Sequence, residues 1–164
     1  MDTLNEPIAI IGTGCRFPGQ ANTSAKLWEL LNQPKELSIP IPPSRFNADG
    51  FYHPDGFHHG TSNVQKSYFL SEDVRKFDSQ FFNISTAEAE SMDPQQRQLL
   101  EVVFEAMEAA NLTMEEMRGT ATAVYVGLMC DDYSGLIFAD METLPTYGAT
   151  GAARAGVRRE VALA

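Results

Sequence analysis

Two stretches of the chain are apolar without interruption, and both are short. Residues 8–11 read Ile-Ala-Ile-Ile after Pro7, and residues 121–129 read Ala-Thr-Ala-Val-Tyr-Val-Gly-Leu-Met. Continuous apolar runs rich in β-branched residues are typical of strands that are buried on both faces of a sheet. The pattern therefore predicts two central strands, one near each end of the chain.

Capping residues and helical spacing predict helices in the segment between these strands. The first helix has Thr23 or Ser24 as its N-cap and ends near Pro34. Aromatic and aliphatic residues at helical spacing predict a short helix over residues 72–82. Residues 85–88 read Ser-Thr-Ala-Glu, which has the form of a capping box and predicts another helix start.

The strongest helix signal begins at Asp93. Asp93 can serve as N-cap, Pro94 suits the first helical position, and Gln96 can reach back toward the cap. A further capping box at residues 113–116 opens a brief helix that Gly119 can end in a left-handed conformation. The helix from Pro94 carries one wide apolar stripe: Leu99, Leu100, Val103, Phe104, Met107 and Ala110.

Strands joined by helices give an α/β class. Residues 38–59 are rich in proline, glycine, histidine and aromatic side chains, which predicts a long packed loop, and residues 66–70 predict a short strand. After residue 151 the composition changes, because residues 152–164 lack aromatic, Asp, Ser and Pro residues. We therefore divide the chain into a body, residues 1–151, and a divergent tail, residues 152–164.

Charge excludes several classes of function. The 164 residues include 22 acidic and 12 basic ones, for a formal net charge of -10 and a pI near 4.6. Nucleic-acid binding needs clustered basic residues, and an anionic membrane surface would repel this chain. No apolar run approaches the roughly 20 residues that span a bilayer. We expect neither a nucleic-acid nor a membrane partner.

The two cysteines indicate a reducing compartment. Cys15 and Cys130 lie far apart with no Cys-x-x-Cys spacing, which suits a cytoplasmic protein better than a disulfide scaffold or a zinc site. Cys15 could be a thiolate nucleophile, but no histidine has a sequence context that marks it as its base. A structural thiol is the favoured interpretation.

Two further motifs each have a functional and a structural interpretation. Residues 12–14, Gly-Thr-Gly, could open a dinucleotide site, but Phe17 replaces the third glycine and Pro18 prevents a helix from starting there. A tight structural turn is favoured. The acidic pair Asp131-Asp132 could bind a cation, although a solvated turn or helix cap is the commoner role.

Histidines and a carboxylate cluster within the long loop. His53, Asp55, His58 and His59 could ligate a metal, yet no helical i, i+4 pairing fixes their geometry. We therefore assign no catalytic, cofactor-binding or metal-binding residue from the sequence, and we expect no cofactor.

Several motifs occur in register along the chain, among them Gly-Cys-Arg-Phe-Pro-Gly at residues 14–19 and Met-Asp-Pro-Gln-Gln-Arg at residues 92–97. The full set covers residues 6–19, 27–31, 45–46, 51–56, 81–84, 88–97 and 124–127. Together these motifs resemble the start of a β-ketoacyl synthase domain, in the form found in fungal highly reducing polyketide synthases. The resemblance implies part of a thiolase-like αβαβα fold that dimerises in the family. It also implies a parent chemistry of decarboxylative condensation, in which a cysteine thioester holds the acyl chain.

The resemblance also implies where the reacting groups of the family lie. Its nucleophilic cysteine belongs to a Thr-Ala-Cys-Ser-Ser-Ser stretch beyond the segment that is here residues 147–151, and its two activating histidines lie further on. This sequence has no such stretch. Cys15 corresponds to the early Gly-Cys-Arg-Phe-Pro-Gly motif, and His53, His58 and His59 do not correspond to the activating histidines.

We therefore expect a truncated ketosynthase fragment, associated with polyketide biosynthesis, that is not an enzyme as an isolated chain. One alternative is an interaction protein that binds a full-length polyketide synthase or self-associates. Another is a segment that completes a synthase in trans. Because the predicted strands would lack neighbours, we expect the chain to be marginally stable or prone to aggregate on its own.

Overall fold

The computed structural model describes residues 7–152, which fall into two compact units. Cys15–Asp73 forms the first, here called the loop unit. Met1–Gly14 joins Val74–Ala164 in the second, here called the helical unit. The divergent tail predicted at residues 152–164 lies outside the described residues except for Ala152, so the boundary at residue 151 stays a prediction.

One helix and a minimal sheet form the loop unit. Helix α1 spans Ser24–Asn32, and Thr23 caps it by accepting a hydrogen bond from the Lys26 amide at 3.2 Å. Strand β1, Ile39–Pro40, pairs antiparallel with β2, Lys66–Ser67. A single-turn 3-10 helix occupies Ala48–Phe51. The predicted cap of α1 is confirmed, whereas the strand predicted over residues 66–70 is shorter and spans only Lys66–Ser67.

The helical unit contains five helices, in the part of it that is described. These are α2 at Thr86–Ser91, α3 at Pro94–Ala109, α4 at Met114–Met117, α5 at Asp132–Ile137 and α6 at Gly148–Gly151. Only α3 exceeds two turns. Helix α3 is therefore the longest regular element available for other segments to pack against.

The capping boxes of the helical unit follow their local sequence. Thr113 and Glu116 form a reciprocal capping box on α4, and Gly119 behind that helix has φ +76°. The backbone N–H and the hydroxyl of Thr113 both donate to the Glu116 carboxylate, which lowers the pKa of this exposed group. Ser85 caps α2 by accepting from the Glu88 amide at 3.3 Å. Each of these predictions is confirmed.

Helix α3 begins as predicted, with Pro94 in the first turn and Asp93 as N-cap. The Asp93 carboxylate accepts hydrogen bonds from the Gln95 amide at 2.8 Å and from Gln95 Nε2 at 3.0 Å. The carboxylate therefore satisfies one of the amides that have no partner inside the helix. Asp93 is only 4% exposed, so this cap lies inside the unit rather than on its surface.

Gly12 and Gly14 bring the N-terminal segment against α3. A Cβ at Gly12 would collide with the Ala106 carbonyl oxygen, and a Cβ at Gly14 with that of Val102. Two residues of extended chain advance about 6.6 Å, close to the roughly 6 Å between helical residues four apart. The segment thus runs antiparallel to α3 with both glycines in direct backbone contact.

The two buried central strands predicted from the sequence are wrong for this structure. Residues 8–11 and 121–129 belong to no strand within the described chain, and Ile8 is 97% and Tyr125 93% exposed. A β-strand needs a neighbouring strand to hydrogen-bond its backbone, and no strand among the described residues pairs with either segment. Their apolar character therefore remains on the surface.

The predicted helix over residues 72–82 is also wrong. The segment forms turns, because its aromatic side chains pack on each other and on α3 instead of lining one helical face. Phe77 stacks on Phe82 with ring centroids 5.3 Å apart, and Phe81 meets Phe104 edge-on at 4.8 Å. These aromatic contacts hold the turns against the helix.

The buried apolar cluster of the helical unit is small. It comprises Ile84, Ala89, Met92 and Leu100, with Phe77 and Phe82 partly buried against it. All of it lies around α2 and the first half of α3. The stability of the unit therefore depends on the junction between these two helices.

We predict that Asp93→Ala lowers the free energy of unfolding by about 1 kcal/mol or somewhat more, because it removes a buried N-cap. Asp93→Asn is the matched control, since its side-chain oxygen can still accept from the Gln95 amide. Urea denaturation followed by circular dichroism measures both. Equal midpoints for Asp93→Ala and the wild-type chain would contradict the assigned cap.

Candidate functional site

The two glycines of the Gly-Thr-Gly motif pack against α3. Gly12 and Gly14 lie against the carbonyl oxygens of Ala106 and Val102, well inside α3. A pyrophosphate site needs the positive N-terminus of a helix beside its glycines. These glycines instead permit a close approach of two backbones, which is the structural role favoured by the sequence.

The two cysteines lie in different surroundings and neither contacts a histidine. Cys15 is half-buried in the loop unit, where its thiol donates to the Ala21 carbonyl at 3.6 Å. Cys130 is half-buried in the helical unit, 4.0 Å from Gln95 Oε1. A cysteine nucleophile requires a nearby base or positive charge to favour its thiolate. The hydrogen-bond partners of these thiols are an amide and a carbonyl, which supply neither.

The structure brings together two of the three predicted loop histidines. The rings of His53 and His58 stack with centroids 4.1 Å apart and an angle of 22°. His53 Nδ1 accepts from the Asp55 amide at 3.1 Å, and His58 Nδ1 lies 3.1 Å from Thr61 Oγ1. Both Nδ1 atoms are thus committed within the loop. Within residues 7–152, no three His, Cys, Asp or Glu side chains converge as metal ligands.

The acidic pair Asp131-Asp132 lies at a helix start. Asp131 is the N-cap residue of α5, and Asp132 lies in its first turn. Negative charge there is favourable because it faces the positive end of the helix dipole. The pair therefore has the structural role that the sequence favoured.

The most buried polar groups of the helical unit lie at the junction of α2 and α3, where the sequence predicted only a helix cap. Ser91 is 1% exposed and Gln96 2%. The Asp93 amide donates to the Gly151 carbonyl of α6 at 2.9 Å, and a Cβ on Gly151 would collide with the Ser91 carbonyl oxygen. This junction therefore holds Gly151, at the end of α6, against the start of α3.

Gln95 connects this junction to Cys130. Its Nε2 donates to the Asp93 carboxylate at 3.0 Å, and its Oε1 accepts weakly from the Cys130 thiol. Tyr133 adds a hydrogen bond from its hydroxyl to the Glu90 carbonyl at 3.2 Å. No local sequence signal marks the contacts of Cys130 and Tyr133, since they join residues 35 and 43 positions apart.

A shallow depression of about 300 Å³ lies in the loop unit beside α1. Its lining includes Lys26, Glu29 and Lys35. Lys26 Nζ donates to Asn22 Oδ1 at 2.8 Å, and Glu29 supplies an opposite charge. The depression combines both signs of charge and selects no ligand class.

Comparison with known proteins identifies the family. The family profile of the β-ketoacyl synthase N-terminal domain matches residues 5–162. The chain therefore belongs to the β-ketoacyl synthase family, and the resemblance found in the sequence is confirmed.

Curated relatives are fungal megasynthases. The chain is 62% identical over 152 residues to the polyketide synthase-nonribosomal peptide synthetase pyiS of Pyricularia grisea. This match covers 93% of the chain and 4% of that protein. The chain is also 62% identical over 150 residues to the reducing polyketide synthase BOA6 of Botryotinia fuckeliana, in a match that covers 92% of the chain and 6% of that protein. The chain thus spans a small fraction of the length of these relatives.

Solved ketosynthases share the fold. The oxazolomycin ketosynthase domain OzmH KS7 of Streptomyces albus superposes with a TM-score of 0.79 at 33% identity, over 93% of this chain and 26% of that one. The ketosynthase from module 6 of the bacillaene synthase of Bacillus subtilis gives 0.77 at 28% identity, over 93% and 24%. The chain therefore has part of a thiolase-like α/β fold, as the sequence predicted.

No helix within residues 7–152 combines the length and the apolar character needed to cross a bilayer.

We predict that Gly151→Ala destabilises the helical unit by about 1 to 3 kcal/mol, the usual cost of overpacking. Its Cβ would meet the Ser91 carbonyl and, at 3.0 Å, the Met92 amide, and this backbone cannot move aside cheaply. Gly148→Ala is the matched control on the same helix, because its Cβ would meet the side chains of Ile137 and Leu144.

Thermal unfolding of both variants decides the comparison. We expect the midpoint of Gly151→Ala to fall clearly below that of Gly148→Ala. A larger loss for Gly148→Ala would show that the approach of α6 to the α2–α3 junction is misassigned.

Proposed function

We propose that this chain contributes scaffold, and not reacting groups, to a ketosynthase domain of a fungal reducing polyketide synthase. The proposal rests on the hydrogen-bond partners of the two thiols. Cys15 and Cys130 contact a carbonyl and an amide oxygen, and neither has a histidine partner among the described residues. The isolated chain is accordingly catalytically silent.

The chemistry of condensation explains why these thiols do not suffice. Acyl transfer to cysteine needs a thiolate that can attack a thioester carbonyl and groups that stabilise the resulting oxyanion. Decarboxylation of a malonyl group then needs donors positioned on its thioester oxygen. His53 and His58 use their Nδ1 atoms inside their own loop, and the sequence has no Thr-Ala-Cys-Ser-Ser-Ser stretch.

The proposed scaffold role is to hold one segment of the chain in a fixed position. The α2–α3 junction holds residues 147–151 through the Asp93 amide and the close contact of Gly151 with Ser91. In the family, this segment leads toward the nucleophile. A rigid support of this kind keeps a catalytic group within a few tenths of an ångström of its productive position.

We predict that the isolated chain forms no stable acyl-enzyme and releases no carbon dioxide from malonyl thioesters. Intact-mass spectrometry after incubation with an acyl thioester measures the adduct, and a radiolabelled malonyl thioester measures decarboxylation. The Cys15→Ala, Cys130→Ala double variant sets the background for both assays. Turnover above this background, together with an adduct on either cysteine, would refute the proposal.

A second candidate function is complementation, in which the chain binds the remaining part of a ketosynthase supplied by another polypeptide. The exposure of two apolar segments favours it. Ile8 is 97% and Ile10 85% exposed, and Met129 in the second segment is 91% exposed. Solved ketosynthases extend well beyond the matched region, which is 26% of the oxazolomycin ketosynthase domain, so their remaining sequence is a candidate cover for these segments.

We predict that the chain alone binds a hydrophobic dye and forms oligomers, because these segments leave apolar surface and backbone groups uncovered. Replacing Ile8 and Ile10 by Lys should reduce both signals several-fold. Met141→Lys is the matched control, since Met141 is 71% exposed but lies outside the two segments. Fluorescence and light scattering provide the readouts.

Co-expression with a ketosynthase polypeptide that lacks the matched region separates complementation from self-association. Complementation predicts a soluble heteromeric complex that the Ile8→Lys, Ile10→Lys variant fails to form. Oligomers of this chain alone, unchanged by the second polypeptide, would favour self-association and contradict complementation. A monomer with a sharp unfolding transition and no dye binding would contradict both.

A further inference from the structure

Helices α5 and α6 and the turn between them return onto each other and form one short hairpin, residues 132–151, here called the α5–α6 hairpin. Gly148 lies beside α5, because a Cβ on it would come within 3.1 Å of the Ile137 side chain. The hairpin is tied to α2 by the Tyr133 hydroxyl, which donates to the Glu90 carbonyl at 3.2 Å. Its side chains are therefore held close together on one part of the helical unit.

Large apolar side chains of the hairpin are exposed. Leu136 is 73% and Met141 71% exposed, and Phe138 and Tyr147 are exposed in part. All four lie within residues 136–147. Single apolar residues scattered over a surface need no explanation, whereas several on one short folded segment mark an interaction surface.

The same hairpin is acidic. Residues 131–142 contain four acidic residues, whereas residues 119–152 contain no lysine, arginine or histidine. The Asp140 carboxylate accepts hydrogen bonds from the Glu142 amide and the Thr143 hydroxyl, both at 2.9 Å, which hold the pKa of this exposed group below its ordinary value. The exposed apolar side chains therefore lie among negative charges, one of which is fixed in place.

This combination of charge and apolar surface selects among possible occupants. A second copy of the hairpin would bring the same carboxylates together, and like charges repel across an interface. A strand neighbour fits the segments 8–11 and 121–129, which contain no charged residue, but does not fit this acidic hairpin. The occupant that fits has an apolar side for Leu136 and Met141 and a basic side for the carboxylates. Exposed methionine suits such a surface because its side chain adapts to the partner.

We propose that the α5–α6 hairpin is a docking surface for a basic amphipathic helix of another polypeptide. The apolar side of that helix covers Leu136 and Met141, and its lysines or arginines lie against Asp140 and Glu142. Helices that dock in this way present apolar anchors three, four and seven positions apart. Because the hairpin lies outside the segments 8–11 and 121–129, this docking goes beyond the complementation proposed above and does not depend on it.

A synthetic helical peptide of about 18 residues, with leucines on one face and lysines on the other, is the probe. Fluorescence anisotropy of the labelled peptide measures its dissociation constant for the full chain. We expect binding that weakens at least about tenfold between about 20 mM and about 300 mM salt, because salt screens the charged contacts. The same peptide with glutamate in place of every lysine is the matched control and should not bind.

Three variants of the chain locate the site. Leu136→Gln should weaken binding about tenfold, as loss of one buried leucine contact implies. Glu142→Gln should weaken it about threefold at low salt and leave it unchanged at high salt. Leu31→Gln is the matched control, since Leu31 is exposed on α1 in the loop unit, and should bind like the wild-type chain.

Each of four outcomes would overturn the proposal. Equal dissociation constants for Leu136→Gln and the wild-type chain would place the peptide elsewhere, and binding of the glutamate peptide would show that charge does not select the partner. Loss of binding in the Ile8→Lys, Ile10→Lys variant would assign the peptide to residues 8–11. Binding seen only after the chain is shortened to end at Ala152 would assign the surface to residues 153–164, which include three arginines.

Discussion

The helical unit depends on one contact between segments that are distant in sequence: the hydrogen bond from the Asp93 amide to the Gly151 carbonyl. It joins the start of α3 to α6 across the most buried part of the unit, where Ser91 and Met92 are each 1% exposed. Polar groups at such depth must be bonded internally, because water cannot reach them. The close approach of α6 and the Gln95 bridge to Cys130 both converge on this junction.

Because the buried cluster of apolar residues is small, much of the apolar side-chain area stays on the surface. Many large apolar side chains in the described chain stay exposed, and those of residues 8–11 and 121–129 are the clearest case. A strand that is apolar on both faces is suited to the centre of a sheet with helices above and below. The chain matches only about a quarter of the solved ketosynthases that it resembles.

Local features were predictable from the sequence, and non-local ones were not. Thr23, Asp93 and Thr113 cap their helices as predicted, since a capping residue acts on amides two or three positions away. The strand prediction failed because pairing depends on partners far along the chain. The helix over residues 72–82 failed because Phe77 and Phe81 pack on other elements, which periodicity cannot anticipate. The family came from motifs in register, whereas the His53–His58 stack and the Gly151 contact required coordinates.

The paired glycines on α3 have a consequence for the order in which the unit assembles. Helix α3 is built from hydrogen bonds close in sequence and can form within about a microsecond, whereas contacts between distant segments must first overcome the entropy of loop closure. Gly12 meets Ala106 and Gly14 meets Val102, one helical turn apart, so docking on a preformed α3 sets the register of the N-terminal segment along this helix. Helix α3 thus acts as a template for the placement of residues 12–14.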